Sequence, residues 1–150
     1  MSVSGLDEDS VIKIIGETFT HSISKTTLCS YSKFISTILE HDNTDIIKLS
    51  NEVVVEDAFN VFVKFLMMHK KPADHYIPPK PAKKELNEAF KNKTDLQFYL
   101  NLQSDIPLLL KVINLSNYLH CDILLKNCIY TLSSWIRKTD YNEIQKVLEN

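Results

Sequence analysis

The sequence predicts an α+β fold: a small mixed sheet formed early in the chain, helices packed on it, and a C-terminal helical extension. Three observations point there. Residues 11–24 alternate in polarity about a glycine, two runs in the first half place apolar residues at helical spacing, and the last third holds successive amphipathic segments. With 150 residues, 44% of them hydrophobic and 9% aromatic, the chain can bury one core, so a single domain is expected.

"VIKIIGETFTHSIS" opens as a β-branched run and breaks at Gly16-Glu17, after which Phe19, His21 and Ile23 alternate with Thr18, Thr20 and Ser22. This reads as a β-hairpin whose first turn residue needs positive φ. His21 shares the face of Phe19 and Ile23, as a partly buried hairpin histidine or a ligand without a second metal-type residue at binding spacing. In "LCSYSKFISTILEH" the period becomes helical, with Tyr31, Phe34, Ile35, Ile38 and Leu39 on one side. "TDIIKLS" is a short strand. "VEDAFNVFVKFLMMH" is a helix with so wide an apolar arc (Ala58, Phe59, Val61, Phe62, Val63, Phe65, Leu66) that it belongs at the centre. Met67 and Met68 lie at the edge of that arc, as gap fillers or a partner surface.

Residues 70–95 carry four of the five prolines and seven lysines against Asp74, Glu85, Glu88 and Asp95. The prolines favour an extended insertion, either a solvated mobile loop or a docking loop steered by its positive charge. Beyond "LQFYLNLQ", Asp105 and Pro107 open a helix from about Ile106 to Leu119. Asp122 caps the next, in "CDILLKNCIYTLSSWI", and Asp140 with Glu143 makes a capping-box pattern before "EIQKVLEN".

Several function classes are disfavoured. A net charge of -2 gives no global pull toward nucleic acid, and the insertion's lysines are interleaved only by Tyr76 and Phe90. Two glycines, Gly5 and Gly16, build no phosphate-cradling loop. No apolar run approaches the roughly 20 residues that span a bilayer. Cys29, Cys121 and Cys128 form no CxxC pair and suit a reducing compartment. "MSVSGLDEDS" lacks the pattern of a signal peptide. No cofactor or metal is expected. His120-Cys121 pairs a base with a nucleophile, but helix neighbours diverge by about 100° and seldom hydrogen-bond, so no enzyme is expected.

On the helix from Ile106, Leu108, Leu109, Val112, Ile113, Leu115 and Leu119 fill one arc and face the core. Leu110, Asn114, Asn117 and Tyr118 form an outward patch, either ordinary surface or a contact face anchored by a tyrosine. In the next helix Leu124, Leu125, Cys128, Ile129, Leu132, Trp135 and Ile136 make a stripe, with Lys126, Asn127, Tyr130, Thr131 and Ser134 opposite. That stripe is all core, or with Ile144, Val147 and Leu148 leaves a groove for a partner helix.

"LLLKVINLSNYLHCDILLKNCIYTLSSWI" followed by "EIQKVL" resembles the C-terminal half of the Skp-type (S-phase kinase-associated) proteins, BTB/POZ-fold adaptors of cullin ubiquitin ligases. The earlier hairpin, helix, strand and helix, leading into a Pro-rich charged insertion, match in order, so the resemblance covers about residues 11–148. It implies a flexible N-terminus (1–10), a BTB/POZ-like core (11–120) with its insertion at about 70–95, and a helical extension (121–150) short relative to the family. It further implies a cytoplasmic and nuclear, non-catalytic adaptor that links a cullin's N-terminal domain to an F-box protein, without nucleic acid or membrane. The asparagine-tyrosine step carries over as Asn117 and Tyr118, so the patch with Leu110 and Asn114 is the expected cullin contact. Ile123, Leu124, Cys128, Trp135, Ile144 and Leu148 are the expected F-box contacts. The family's insertion is acidic and this one is basic, and the family continues into a further helix past "QKVLEN". An elongin-C-like adaptor, which takes a different receptor helix, and a self-associating BTB-like scaffold are the alternatives.

Overall fold

β1 (Val11–Ile15) and β2 (Thr20–Ser24) pair antiparallel, with Ile12 opposite Ile23 and Ile14 opposite His21. The computed structural model describes residues 10–82 and 84–149, so most of the expected N-terminal segment 1–10, and Lys83 in the insertion, lie outside the described residues. The hairpin is present, but its turn differs from expectation because Gly16 does not adopt positive φ. A four-residue connection closes it, with Gly16 N–H donating to the Phe19 carbonyl at 2.9 Å. Glycine serves close approach instead: a Cβ at position 16 would collide with the edge of the Phe19 ring.

The helical run after the hairpin divides into α1 (Lys25–Tyr31) and α2 (Lys33–His41) at an extended, buried Ser32. Ser32 Oγ accepts from Ile35 N–H at 3.1 Å, capping α2, and donates to the Leu119 carbonyl at 2.6 Å. One hydroxyl thereby starts a helix and ties it to a distant part of the chain. β3 (Ile46–Lys48) then pairs parallel with β1, giving a mixed sheet in the order β2-β1-β3.

α3 (Glu56–Leu66) buries Ala58, Phe59, Phe62, Phe65 and Leu66. The Phe59 ring meets Phe19 at 5.0 Å and His21 at 5.4 Å, joining the helix to the hairpin. His21 is therefore a partly buried hairpin residue whose Nε2 lies 3.0 Å from Asn60 Oδ1. Met68 packs against the core, whereas Met67 faces solvent.

The insertion does not stand off as a solvated loop. It runs through a single 3-10 turn (Pro72–Asp74) into an extended strap and a short helix, α4 (Leu86–Ala89), with His75, Pro78, Ala82, Leu86, Ala89 and Phe90 buried. A helix absent from the sequence reading follows: α5 (Lys93–Gln103), capped where Asn92 Oδ1 accepts from Thr94 and Asp95 N–H at 2.8 and 3.1 Å. α6 (Ile106–Tyr118) starts at Asp105, whose carboxylate accepts from Leu108 N–H at 3.3 Å. α7 (Asp122–Lys138) is preceded by Cys121 rather than by the expected aspartate cap, Asp122 being its first residue. α8 (Tyr141–Glu149) is the last helix among the described residues.

The architecture is α+β, with eight helices and one three-stranded mixed sheet among the described residues. α3 packs on α6, which packs on α7, while α5 covers α7 from another side. No described helix is long and apolar enough to cross a membrane. Because the Phe19 ring that a methyl at position 16 would strike is itself held against Phe59, Gly16→Ala is expected to destabilise the fold by about 1–3 kcal/mol in urea denaturation. Unchanged stability would contradict this packing.

Candidate functional site

The end of α6 is built by two chain segments. His120, at φ 53°, puts the backbone into the left-handed region and ends the helix. His120 N–H then donates to the Asn117 carbonyl at 3.2 Å, and Cys121 N–H to the Ser116 carbonyl at 2.9 Å, the paired bonds of a Schellman motif. The next carbonyls accept from the start of α2: Phe34 N–H donates to Leu119 O and Lys33 N–H to His120 O, both at 3.4 Å. Phe34 is thus set against Tyr118, with ring centroids 4.9 Å apart and tilted by 47°.

This fixes where the sequence-derived patch sits. Asn114 and Asn117 are exposed, whereas Leu110 and Tyr118 are half-buried. Tyr118 therefore does not stand free: its ring rests on Phe34 and packs against the core, and only part of it is accessible. Phe34, assigned from periodicity to its own helix's apolar side, belongs to this surface as well. A bond between two segments far apart in sequence brings it there, and local spacing carries no signal of that.

α7 departs most from expectation. Its buried residues are Leu124, Asn127, Cys128, Tyr130, Thr131 and Ser134, so much of the side read as polar and outward faces the interior. At about 100° per residue the helix is turned by roughly a third of a revolution from its apolar stripe. Leu124 and Cys128 are both 0% exposed, and a partner could touch them only by unpacking the core. Ile123, Trp135 and Ile144 are half-buried, and Leu148 is exposed. The outward apolar residues of α7 are instead Ile129 and Ile136, 37% and 44% exposed, flanked by half-buried Leu125 and Leu132.

The strap accounts for this rotation. Asn127 Nδ2 donates to the Tyr76 carbonyl and to Tyr99 Oη, both at 3.0 Å. Tyr130 Oη and Ser134 Oγ donate to the Lys84 carbonyl at 3.3 and 3.5 Å, and Arg137 Nη1 to the Ala82 carbonyl at 2.7 Å. Gln103 Nε2 of α5 donates to the Thr131 carbonyl at 3.1 Å. A proline-rich strap cannot complete a sheet ladder, so its carbonyls take side-chain donors, and α7 supplies them. Among the described residues Asn127 Oδ1 is buried without a hydrogen-bond partner.

Two concavities flank the strap. One, of about 630 Å³, lies toward α5 and is lined by Lys80, Lys84 and Lys91 but also by Asp74, Glu88 and Asp95. At its wall His69 Nε2 lies 2.7 Å from Asp95 Oδ1, and the His69 ring stands edge-on to His75 at 4.5 Å. The other, of about 970 Å³, is a groove between the strap and α7 that includes Ile129 and Ile136. Among the described residues no group of three or more His, Cys, Asp and Glu comes together to hold a metal. Burial pushes the Cys121 thiol up to about 12 and Cys128 higher still. Both sulfurs are poor nucleophiles.

No family model matches this sequence, and no curated protein matches it.

His75 anchors the strap, sharing a 2.8 Å hydrogen bond with Tyr31 and lying 4.5 Å from the Phe65 ring. Burial, reinforced by His69 and opposed by Asp95 and Asp74, lowers its pKa from 6.5 to about 4. The unfolded chain therefore takes up the proton first. This contribution is complete above about pH 6.5 and is lost as pH falls toward 4, a change of about 3 kcal/mol at most. Urea denaturation across that window is expected to show this loss in the natural chain and a shallower slope in His75→Phe; parallel slopes would contradict it.

Proposed function

We propose that the chain is a non-catalytic adaptor of the Skp type, with a BTB/POZ-like core carrying a cullin-binding face and a C-terminal helical face for a receptor's F-box helix. One observation carries the reading. Ile129 and Ile136 of α7 are exposed on one side of the helix, and α8 buries none of its residues although Ile144, Val147 and Leu148 give it an apolar stripe. The last helix packs on α6 and stays without full cover, and the helix before it carries exposed isoleucines; apolar helix faces left open in this way are the form of a surface completed by another helix.

The order of elements supports the same reading, as does the Asn117-Tyr118 step at the end of α6, where an exposed amide stands beside an aromatic pair. The receptor face drawn from the resemblance changes in membership: Ile129 and Ile136 take the place of Leu124 and Cys128, and Ile144 and Leu148 remain. Such an adaptor works by holding two partners, which raises the effective concentration of a bound substrate near the ubiquitin-loading machinery. No reacting side chain is required. The proposed setting is the cytoplasm and nucleus.

A second reading has its own observation. Ile46 on the outer strand β3 is 51% exposed, an apolar edge that a second copy would cover in a self-associating scaffold. Sedimentation separates the two, since the adaptor is monomeric when dilute. In calorimetry with a cullin N-terminal domain, Tyr118→Ala is expected to weaken binding by about 2 kcal/mol and Ile136→Glu to leave it unchanged. Ile136→Glu is expected to lose an F-box segment that Tyr118→Ala still binds. Unaltered cullin affinity for a folded Tyr118→Ala chain would remove that face from the reading.

A further inference from the structure

The groove between the strap and α7 has a chemical character that the neighbouring cavity lacks. Its apolar surface comes from both walls: Ile129 and Ile136 from the helix, Ile77 and Pro81 from the strap. Ile77, Ile129 and Ile136 are all exposed, so the groove is open along its length. Its charged lining residues among those described are Lys80, Lys126 and Arg137, with no carboxylate. In the cavity on the strap's other side, lysines stand opposite Asp74, Glu88 and Asp95.

The cations are not neutralised locally. Among the described residues neither Lys80 nor Lys126 takes part in an ion pair, and Arg137 directs one N–H to the Ala82 carbonyl, which leaves its charge intact. The chain as a whole has a net charge of -2, so the positive rim is a local feature and not a consequence of composition. Like charges along an apolar groove disfavour basic partners and favour acidic ones.

The groove also specifies the shape of its occupant. Pro78, Pro79 and Pro81 line it and have no N–H to donate, so a partner strand could not build a ladder on the strap. Ile129 and Ile136 are seven residues apart, about 10 Å along α7 at 1.5 Å per residue, the repeat of anchor residues on one face of a helix.

We propose that this groove takes a partner's amphipathic helix bearing carboxylates beside its apolar anchors, with Lys80, Lys126 and Arg137 setting the preference. The proposal rests on the reading of this face as receptor-binding and adds the chemical class of helix that it selects.

The test is a displayed library of helical peptides with fixed apolar anchors at i, i+3, i+4 and i+7 and randomised flanks, selected against the full chain. Enriched peptides are expected to be acidic, and to bind Lys80→Glu/Lys126→Glu about tenfold more weakly, with the gap closing in about 0.5 M salt. Ile129→Ser/Ile136→Ser is expected to abolish their binding, and circular dichroism checks that each variant folds. The proposal is overturned if the enriched flanks match the unselected library, if no peptide enriches, or if binders ignore both double variants. Self-association lost in Ile129→Ser/Ile136→Ser would also overturn it, by showing the groove filled by a second copy. An F-box segment that binds without any preference for acidic flanks would sink this inference and leave the adaptor reading intact. Acidic selection without cullin binding would do the reverse.

Discussion

Four side chains of α7 reach three backbone carbonyls of the strap, and the orientation of the C-terminal half depends on those contacts. Asn127, Tyr130, Ser134 and Arg137 donate to Tyr76, Lys84 and Ala82, three of them from side chains that are themselves buried. A buried carbonyl without a donor costs about 1–3 kcal/mol, so docking a proline-rich segment requires a donor-bearing helix face beneath it. Turning α7 to supply that face moves its isoleucines to the outside. The exposed apolar surface follows from satisfying the polar one.

The same logic operates at the other end of the molecule on a smaller scale. Ser32, buried between α1 and α2, satisfies its hydroxyl by capping α2 and donating to Leu119. That bond sets Phe34 against Tyr118 and gives the end of α6 its mixed aromatic and amide surface. Two outward faces thus arise from separate polar constraints: a hydroxyl between two helices, and the strap on α7. Under the adaptor proposal these are the cullin and receptor faces, and their independence would let each partner bind without the other.

Much of the fold was legible locally. Alternation placed both strands of the hairpin, and the apolar arc of residues 56–66 identified a helix whose phenylalanines fill the core. The break at Ser32 was hidden because the apolar period runs across it, and the role of Gly16 because its constraint is a neighbouring ring and not its own φ. α5 was missed because its first turn is polar, and residues 96–103 mix Leu and aromatic positions with Gln and Asn in no clean arc. At the candidate site, Asn114 and Asn117 were legible as exposed residues. The α7 face was misassigned for a physical reason: an apolar stripe predicts the buried side only when the covering segment is apolar too, and here it is a run of carbonyls.

The orientation of α7 is the claim on which the receptor face rests, and thiol labelling in the native state tests it most directly. In a Cys29→Ser background, single cysteines at positions 129, 131, 134 and 136 would be labelled with a small alkylating reagent under folding conditions. The account predicts rapid modification at 129 and 136 and protection by about 100-fold or more at 131 and 134, which are buried beneath α5 and the strap respectively. Faster labelling at 131 and 134 than at 129 and 136 would mean that the helix presents its polar side to solvent, and the account would be wrong.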